Sequence, residues 1–435
     1  MTLRRVVITG MGAVSGFGFE WQQMWTQMLQ GTHCIRPWQP DEITDGSFPV
    51  RYAAAVDMSL LPEYLQDHPA WQLPLEKRSR FGWVAASQAV RDSGLSTEQL
   101  REAAVLSASG APQHMLDDML LALPQEGHGA ADWRHLLNRA DGVQAQGSLR
   151  QSNDRLARVI ADHFGCEGPV LNISSACAGA AQAIGNGFQM IRRGEIDIAL
   201  AGGADSVLNL DTMGALYLLG AASSEQRWGA ELCRPFDRDR SGLVAGEGGG
   251  FLLLESLHSA QARGAKIYAE VVGFGSSLDA YKVTAPEPQG RGAALAMNGA
   301  LRDAGVAPQQ VDMINAHGTS TPLNDAAETL AIKTVFAADE HYRRLAISAN
   351  KSQFGHLIAA AGAPEIMLTA LACREDRITP TVNLHHPDSA CDLDYCAGQA
   401  REQTVDLALS NSFGFGGLNT SLQLRNYREA ARGAA

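Results

Sequence analysis

The chain has 435 residues, of which 45% are hydrophobic, 19% are charged and 44 are glycines. This composition is typical of a globular protein of two or three domains and excludes a disordered chain. A formal net charge of −12 argues against general binding to nucleic acid or to an anionic membrane. No apolar run reaches the roughly 18 residues of a membrane-spanning helix, and Val6 to Ile8 indicate a first strand rather than a signal peptide. We therefore predict a cytoplasmic protein without membrane insertion.

Short aliphatic runs alternate with helix-like stretches along the chain, which predicts an α/β fold with mostly buried strands. Two segments share one plan, because residues 170–173 and residues 345–347 each form a strand that leads into a helix of small residues. This likeness suggests an internal duplication, although strand–loop–helix units occur in every α/β protein. We divide the chain into an N-terminal half, 1–258, and a C-terminal half, 259–435, that share one active site.

Residues 112–150 are rich in Gly, Gln and His and show weak periodicity. They predict a long excursion that contacts a partner or shapes the substrate site. The seven cysteines are scattered and form no C-x-x-C pair. This pattern indicates neither a disulfide framework nor a zinc site, and we expect no metal.

Cys177 is the candidate nucleophile, in the run NISSACAGA over residues 172–180. It follows a strand and precedes a small-residue helix, so exposed amides and the helix dipole are expected to favour its thiolate. Taken alone, a cysteine between alanines is more often an inert core residue. Two downstream histidines favour the nucleophile, because a thiol with two imidazoles suits a thioester that is both attacked and polarised.

His317 lies in the run NAHGTSTP after an apolar strand, and His356 ends the run KSQFGH. His317 alone also fits a surface or capping residue. Thr319 and Thr321 are expected to hydrogen-bond a ligand arm that contains amides.

Lys351 begins the second histidine run, and a buried lysine needs a carboxylate partner. We expect Asp325 and Glu328 to supply it. An ordinary helix cap with an ion pair is the alternative.

Phe413 and Phe415 lie in the glycine-dense run NSFGFGG over residues 411–417. Such a loop can bring backbone amides close to a ligand and form part of an oxyanion hole. A tight structural turn with two phenylalanine anchors is the alternative. The run over residues 233–250 has no nucleophile and lacks the Lys-Ser/Thr of a phosphate-binding loop, so it is interpreted as a scaffold.

These runs, together with RPFD at 234–237 and GEG at 246–248, occur in the order found in one known family. From about Arg4 to Leu424 the chain resembles the β-ketoacyl-[acyl carrier protein] synthases, in the elongating synthase I/II branch of the thiolase superfamily. The resemblance implies a duplicated thiolase fold, layered α-β-α-β-α, and a dimer. It also implies a decarboxylative Claisen condensation that extends a fatty-acid or polyketide/polyene chain by two carbons. No tightly bound cofactor is implied, because the acyl carrier protein supplies a phosphopantetheine arm.

The resemblance also assigns roles to residues. Cys177 takes the acyl group, and His317 and His356 hold the malonyl thioester oxygen and stabilise the enolate. The amides of Cys177 and Phe415 form the oxyanion hole, and Phe415, next to Phe413 in the same loop, gates malonyl entry. Lys351 organises the histidines through a network that includes Glu328.

Three alternatives follow from neighbouring families. A degradative thiolase needs a second cysteine in residues 411–417, which contain none, and a priming synthase has Asn in place of His356. An inactive chain-length-factor partner usually lacks the nucleophile that Cys177 provides. Departures from the family pattern at residues 111–113 and at Leu418 favour a specialised polyketide or polyene synthase, as a homodimer or as a heterodimer with a ketosynthase-like subunit.

Lys77, Arg78 and Arg80 form a basic run before an amphipathic helix. We expect them to dock the carrier protein, which is typically acidic. An ordinary solvated charge run is the alternative.

Overall fold

The computed structural model describes residues 3–66, 76–110, 152–337, 342 and 344–428. The excursion predicted over residues 112–150 and the departure at residues 111–113 therefore lie outside the described residues. No helix in the described ranges is long and apolar enough to span a membrane.

The strands of the described residues have two to ten residues, and three of those near the middle of the main sheet are buried along their whole length. In chain order they are β1 (Val6–Val14), β2 (Arg36–Pro37), β3 (Tyr52–Ala53), β4 (Ala104–Ala108), β5 (Val170–Ile173), β6 (Ile198–Ser206), β7 (Glu247–Ser256), β8 (Ala269–Leu278), β9 (Met313–Asn315), β10 (Ala346–Ser348), β11 (Arg377–Ile378), β12 (Arg401–Glu402), β13 (Leu407–Gly414) and β14 (Leu418–Asn426). Every position of β1, β6 and β7 is buried. This is the burial expected of strands that helices cover on both faces.

The helices vary from single turns to 17 residues. In chain order they are α1 (Trp21–Leu29), α2 (Glu63–Gln66), α3 (Lys77–Ser93), α4 (Thr97–Arg101), α5 (Arg155–Phe164), α6 (Gly179–Arg192), α7 (Leu210–Leu218), α8 (Leu257–Ala262), α9 (Arg291–Ala304), α10 (Pro322–Phe336), α11 (Lys351–Phe354) and α12 (Gly362–Glu375). Short 3₁₀ turns occur between them, and two of these, Ala176–Ala178 and Ile358–Ala360, belong to the site described below.

The main sheet has the strand order β10-β9-β13-β14-β8-β1-β7-β6-β4-β5. Outwards from the β1–β8 contact, one half follows β1, β7, β6, β4, β5 and the other follows β8, β14, β13, β9, β10. In each half the first two pairings are antiparallel and the last two are parallel. The two halves thus share one strand order and one pattern of strand directions, as a duplicated fold requires. The division at 258/259 stays a proposal, and it falls inside α8, which connects the halves.

Two helices, α6 and α12, lie between the half-sheets. Helix α6 contacts β4 and β6 of one half and β8 and β14 of the other, and α12 contacts β13 and β14 as well as β7. Helices α3 and α5 cover the outer face of the first half, and α9, with α10 packed on it, covers the outer face of the second. The predicted α-β-α-β-α layering of a duplicated thiolase fold is therefore confirmed.

Small residues allow the two central helices to pack closely. A Cβ added to Gly362 of α12 would lie 2.8 Å from the Cβ of Ala181 of α6, and one added to Gly185 would lie 2.3 Å from the ring of Phe274. Both distances are too short for a larger side chain. This close packing brings the N-terminal ends of α6 and α12 close together, and with them the candidate residues Cys177 and His356 that precede these helices.

Candidate active site

Cys177 lies in the 3₁₀ turn Ala176–Ala178, between the end of β5 and the start of α6. Ala176 has a φ of +43°, in the left-handed region that residues with a side chain rarely adopt. Strained backbone of this kind is often found at functional sites, where the surrounding structure maintains it. The turn places the Cys177 thiol in the interior, with 4% of the residue exposed.

Burial is the main influence on the thiol and raises the pKa of Cys177 to about 11. The charge of Lys351 and the backbone N–H of Phe415 lower this pKa, whereas the carboxyl of Asp205 raises it further. Burial thus raises the pKa of Cys177 by more than the nearby backbone amides of Phe415 and Cys177 lower it, so these amides favour the thiolate as expected but do not make it the main form. The neutral thiol is the main form at pH 7.

The ammonium of Lys351 determines the tautomer of His317. Lys351 Nζ lies 2.7 Å from the backbone oxygen of His317, 2.5 Å from Oε1 of Glu365 and 3.3 Å from Nδ1 of His317. An ammonium has three protons and accepts no hydrogen bond, so Nδ1 must accept one of them. The ring proton of His317 is consequently on Nε2.

His356 has the same tautomer for a different reason. The backbone N–H of Ile358 donates to Nδ1 of His356 at 3.1 Å, which leaves the ring proton on Nε2. Burial and the charge of Lys351 hold the pKa of both histidines well below its usual range, and His356 also lowers that of His317. The two rings meet edge to face with centroids 5.3 Å apart. The site thus contains two adjacent, neutral imidazoles that each donate through Nε2.

The carboxylate partner of Lys351 is Glu365 on α12, and the prediction of Asp325 or Glu328 is wrong. Glu365 is fully buried, and this burial raises its pKa to about 7 although Lys351 opposes the shift. Sequence reasoning missed Glu365, whose only signal is a carboxylate in the first turn of a helix that is then apolar as far as Cys373, apart from Thr369.

Glu328 instead supports His317 through the backbone. Its two carboxylate oxygens accept from the amides of His317 at 2.8 Å and Gly318 at 2.9 Å. Burial raises the pKa of Glu328 to about 7. Asp325 acts similarly one turn earlier, since it accepts from the amides of Phe236 and Thr319. Both carboxylates hold the loop that carries His317, and neither contacts Lys351.

The hairpin between β13 and β14 lies against the nucleophile. The backbone N–H of Phe415 lies close enough to the sulfur of Cys177 to lower its pKa. A Cβ on Gly414 would lie 3.1 Å from the backbone nitrogen of Cys177, so the hairpin and the Cys177 turn are in direct contact. The ring of Phe413 lies 5.6 Å from that of His317.

One cavity of about 360 Å³ connects these groups with the surface. The side chains that carry the predicted chemistry and line it are Cys177, His317, His356, Phe413, Phe415, Thr319 and Thr321. The hydroxyls of Thr319 and Thr321 are 2.9 Å apart, and Thr321 also caps α10.

The outer end of the cavity is apolar. Leu219, Val283 and Leu323 line it and are 56%, 75% and 62% exposed, and the adjacent Leu218 is 85% exposed. We call these four residues the apolar rim.

Of the three residues expected to form a basic docking patch, Lys77, Arg78 and Arg80, the middle one is buried. Arg78 is 1% exposed, pairs with Glu76 at 3.3 Å and donates to the backbone oxygen of Gly110 at 3.0 Å. Its place on α3 directs it inward, so its inclusion in an exposed patch was wrong. Lys77 is exposed, and Arg80 is half-buried.

Comparison with known proteins identifies the family. The model "Beta-ketoacyl synthase, N-terminal domain" matches residues 3–260, and the model of the C-terminal domain of the same family matches residues 268–385. The 3-oxoacyl-[acyl-carrier-protein] synthase 2 of Synechocystis is 37% identical over 98% of this chain and 99% of its own length, and that of Coxiella burnetii is 35% identical over the same shares.

Solved structures agree with this assignment. A β-ketoacyl synthase from Burkholderia phymatum is 31% identical with a TM-score of 0.84, and the ishigamide ketosynthase/chain length factor is 32% identical with a TM-score of 0.82. A type II PKS ketosynthase, solved in complex with its acyl-carrier protein, is 30% identical with a TM-score of 0.86. Each match covers 98% of this chain and 100% of the other. The predicted resemblance is confirmed, and the chain belongs to the β-ketoacyl synthase family.

Proposed function

We propose that the chain is a β-ketoacyl-[acyl carrier protein] synthase that condenses malonyl-carrier protein with an acyl group held on Cys177. The observation that carries this proposal is the pair of Nε2–H donors, from His317 and His356, in one cavity with a buried thiol. An acyl-transfer site alone needs one nucleophile and an oxyanion hole. Two neutral donors side by side match a second task, which is to stabilise an enolate.

In the first half-reaction, the sulfur of Cys177 attacks the carbonyl carbon of the acyl-carrier thioester. The carrier's thiol leaves and takes the proton that Cys177 loses, so no net charge is created. The amides of Cys177 and Phe415 hold the oxyanion of the tetrahedral intermediate. The contact between Phe415 N–H and the sulfur supports this role, because it places the amide beside the attacked carbon.

In the second half-reaction, the bond between the malonyl methylene and its carboxylate breaks and releases CO₂. The electron pair forms an enolate, whose oxygen accepts from Nε2–H of His317 and His356. These hydrogen bonds strengthen as negative charge develops, and the loss of one donor costs about a hundredfold or more in rate. The enolate carbon then attacks the acyl-Cys177 carbonyl, and the sulfur leaves as a thiolate that takes one proton from solvent to regenerate the thiol. The product is a β-ketoacyl-carrier thioester two carbons longer.

Lys351 assists both histidines without contacting the substrate. Its charge favours their neutral forms, and its contact with Nδ1 fixes the tautomer of His317. Glu365 neutralises the buried ammonium, and Glu328 holds the loop of His317 in place.

The phosphopantetheine arm of a carrier protein is the proposed occupant of the cavity. Thr319 and Thr321 offer hydroxyls along its wall to the amides of the arm, and Phe413 and Phe415 gate its inner end. The carrier protein would then lie on the apolar rim, because the arm enters there. Lys77, with Arg80 beside it, stays a secondary docking hypothesis.

Assembly as a homodimer, or as a heterodimer with a ketosynthase-like subunit, is part of the proposal. Val170 and Leu171 of β5 are exposed at one end of the main sheet, and an apolar edge strand of this kind invites pairing with a second chain. We also propose a cytoplasmic location and either a fatty-acid or a polyketide/polyene pathway. The inactive-partner alternative gains no support from a site in which the nucleophile and both histidines are present.

Intact mass spectrometry tests the reaction. After incubation with a series of acyl-carrier proteins, we expect an acyl adduct that maps to Cys177 and is absent from Cys177→Ala. Addition of malonyl-carrier protein should then give a β-ketoacyl-carrier product two carbons longer than the primer. An adduct of equal yield on Cys177→Ala, or no adduct with any primer, would contradict the proposal.

A further inference from the structure

Asp205, at the end of β6, is a buried carboxylate close to the site that the mechanism above does not use. It is 1% exposed and affects the pKa of Cys177. Its Oδ1 accepts from the amide of Ser206 at 2.9 Å, its Oδ2 accepts from the amide of Ala359 at 3.1 Å, and Gly110 packs directly against the carboxyl. One side chain thus joins three separate segments of the chain.

The bond to Ala359 matters because of the residue before it. Ile358 has a φ of +48°, which is a genuine outlier for a β-branched residue. The amide of Ile358 is the group that donates to Nδ1 of His356. A strained turn therefore fixes the tautomer of one of the two enolate donors, and such strain persists only where neighbouring groups hold it.

We infer that Asp205 is a positioning residue for His356: its hydrogen bond to Ala359 N–H holds the turn Ile358–Ala360 so that Ile358 N–H keeps His356 in the Nε2–H form. This inference rests on the proposed function for its kinetic consequence but not for its structural one. The turn Ile358–Ala360 also packs against the turn that carries Cys177, since Ala359 lies against Gly179. This packing fixes the position of His356 relative to Cys177.

Asp205→Asn tests the inference with almost no change in shape. A carboxylate only accepts, which suits one amide donor on each of its oxygens, whereas the NH₂ of asparagine must face one of these donors. A misplaced donor of about 1 Å can slow catalysis a hundredfold, so malonyl decarboxylation should fall by more than about tenfold. Alkylation of Cys177 by iodoacetamide should not fall, and should become faster at fixed pH, because the negative charge of Asp205 raises the pKa of the thiol.

Asp237→Asn is the matched control. Asp237 is also fully buried, accepts from three amides, those of Asp239, His385 and His386, and lies beside an arginine, Arg234. It does not line the cavity. Its substitution should lower stability without changing the ratio of decarboxylation to alkylation. If both Asp205→Asn rates fall together, as a general loss of folded protein would cause, the inference is overturned.

A second variant covers the case in which Asp205→Asn does not fold. A Cβ on Gly110 would lie 2.4 Å from Oδ2 of Asp205, so Gly110→Ala should displace the unaltered carboxylate from Ala359. The same selective loss of decarboxylation is expected. Unchanged decarboxylation in Gly110→Ala would contradict the inference.

Nitrogen-15 NMR of labelled histidine gives a readout that needs no turnover. In the unaltered protein we expect both His317 and His356 as single Nε2–H tautomers. In Asp205→Asn or Gly110→Ala, His356 should become a mixture while His317, fixed by Lys351, stays unchanged. An unaltered His356 signal in the variants would refute the inference even if the proposed reaction is correct. The NMR signal of His356 in the variants therefore tests this inference, whereas the activity of the unaltered protein tests the proposed function.

Discussion

Nζ of Lys351 lies 3.3 Å from Nδ1 of His317 and uses its other two protons on the His317 backbone oxygen and on Glu365. A single buried ammonium thus fixes a tautomer, lowers the pKa of two histidines and joins the loop that carries His317 to the central helix α12. Lys351 does this from behind the two histidines, since it does not line the cavity.

Lys351→Met should destabilise the protein, because it leaves Glu365 buried without a partner. Breaking a buried ion pair on one side costs about 3–5 kcal/mol, whereas replacing both members by apolar residues is often neutral. We expect Lys351→Met/Glu365→Met to regain most of the free energy of unfolding, measured by urea denaturation, but not the decarboxylation activity. A double variant as unstable as the single one would show that the ion pair is not the source of the loss.

His317→Ala and His356→Ala should each lower malonyl decarboxylation by about a hundredfold or more, since each removes one enolate donor. Acylation of Cys177 should change much less, because the amides of Cys177 and Phe415, and not the imidazoles, hold the oxyanion that forms when the sulfur attacks. Single-turnover assays of CO₂ release and of acyl-enzyme formation separate the two effects. His258→Ala is the control, since His258 is exposed on α8 and does not line the cavity. Equal loss of acylation and decarboxylation would contradict the assigned roles.

Alkylation of Cys177 should depend steeply on pH. Its pKa is raised to about 11, so the thiolate fraction, and with it the rate, should rise about tenfold per pH unit from neutral pH to near that value. Lys351→Met should raise this pKa further, because the charge of Lys351 lowers it. Peptide mapping after brief iodoacetamide treatment measures the rate, and Cys177→Ala gives the background. A plateau below pH 8 would contradict the account of a buried, neutral thiol.

Leu218→Gln should weaken docking of the carrier protein but not the chemistry. Leu218 belongs to the apolar rim but does not line the cavity, so the loss of its apolar contact should raise KM for acyl-carrier protein and leave KM for the same acyl group on pantetheine unchanged. Leu295→Gln is the control, because Leu295 is 51% exposed on α9 and lies outside the cavity lining. A normal KM for carrier-bound substrate in Leu218→Gln would place docking elsewhere.

The local sequence runs were enough to predict the fold class and to single out Cys177, His317 and His356, which the structure places in one cavity, because each lies directly after a strand or a tight turn. The partner of Lys351 could not be predicted in this way. Glu365 reaches Lys351 only because α12 lies in the central layer, which is a property of the whole topology. The burial of Arg78 could not be predicted either, since its inward direction depends on contacts with Glu76 and with Gly110, which is distant in the sequence. Strain at Ile358 has no sequence signal, because isoleucine is among the residues least expected at positive φ.

The fate of the malonyl carboxylate tests the central claim most directly. With malonyl-carrier protein labelled only in its free carboxylate, and with acyl-Cys177 formed beforehand, we expect one labelled CO₂ for each β-ketoacyl product and no label in that product. Cys177→Ala should give no elongated product. Label retained in an elongated product, or elongation of equal yield by Cys177→Ala, would contradict a decarboxylative condensation on Cys177.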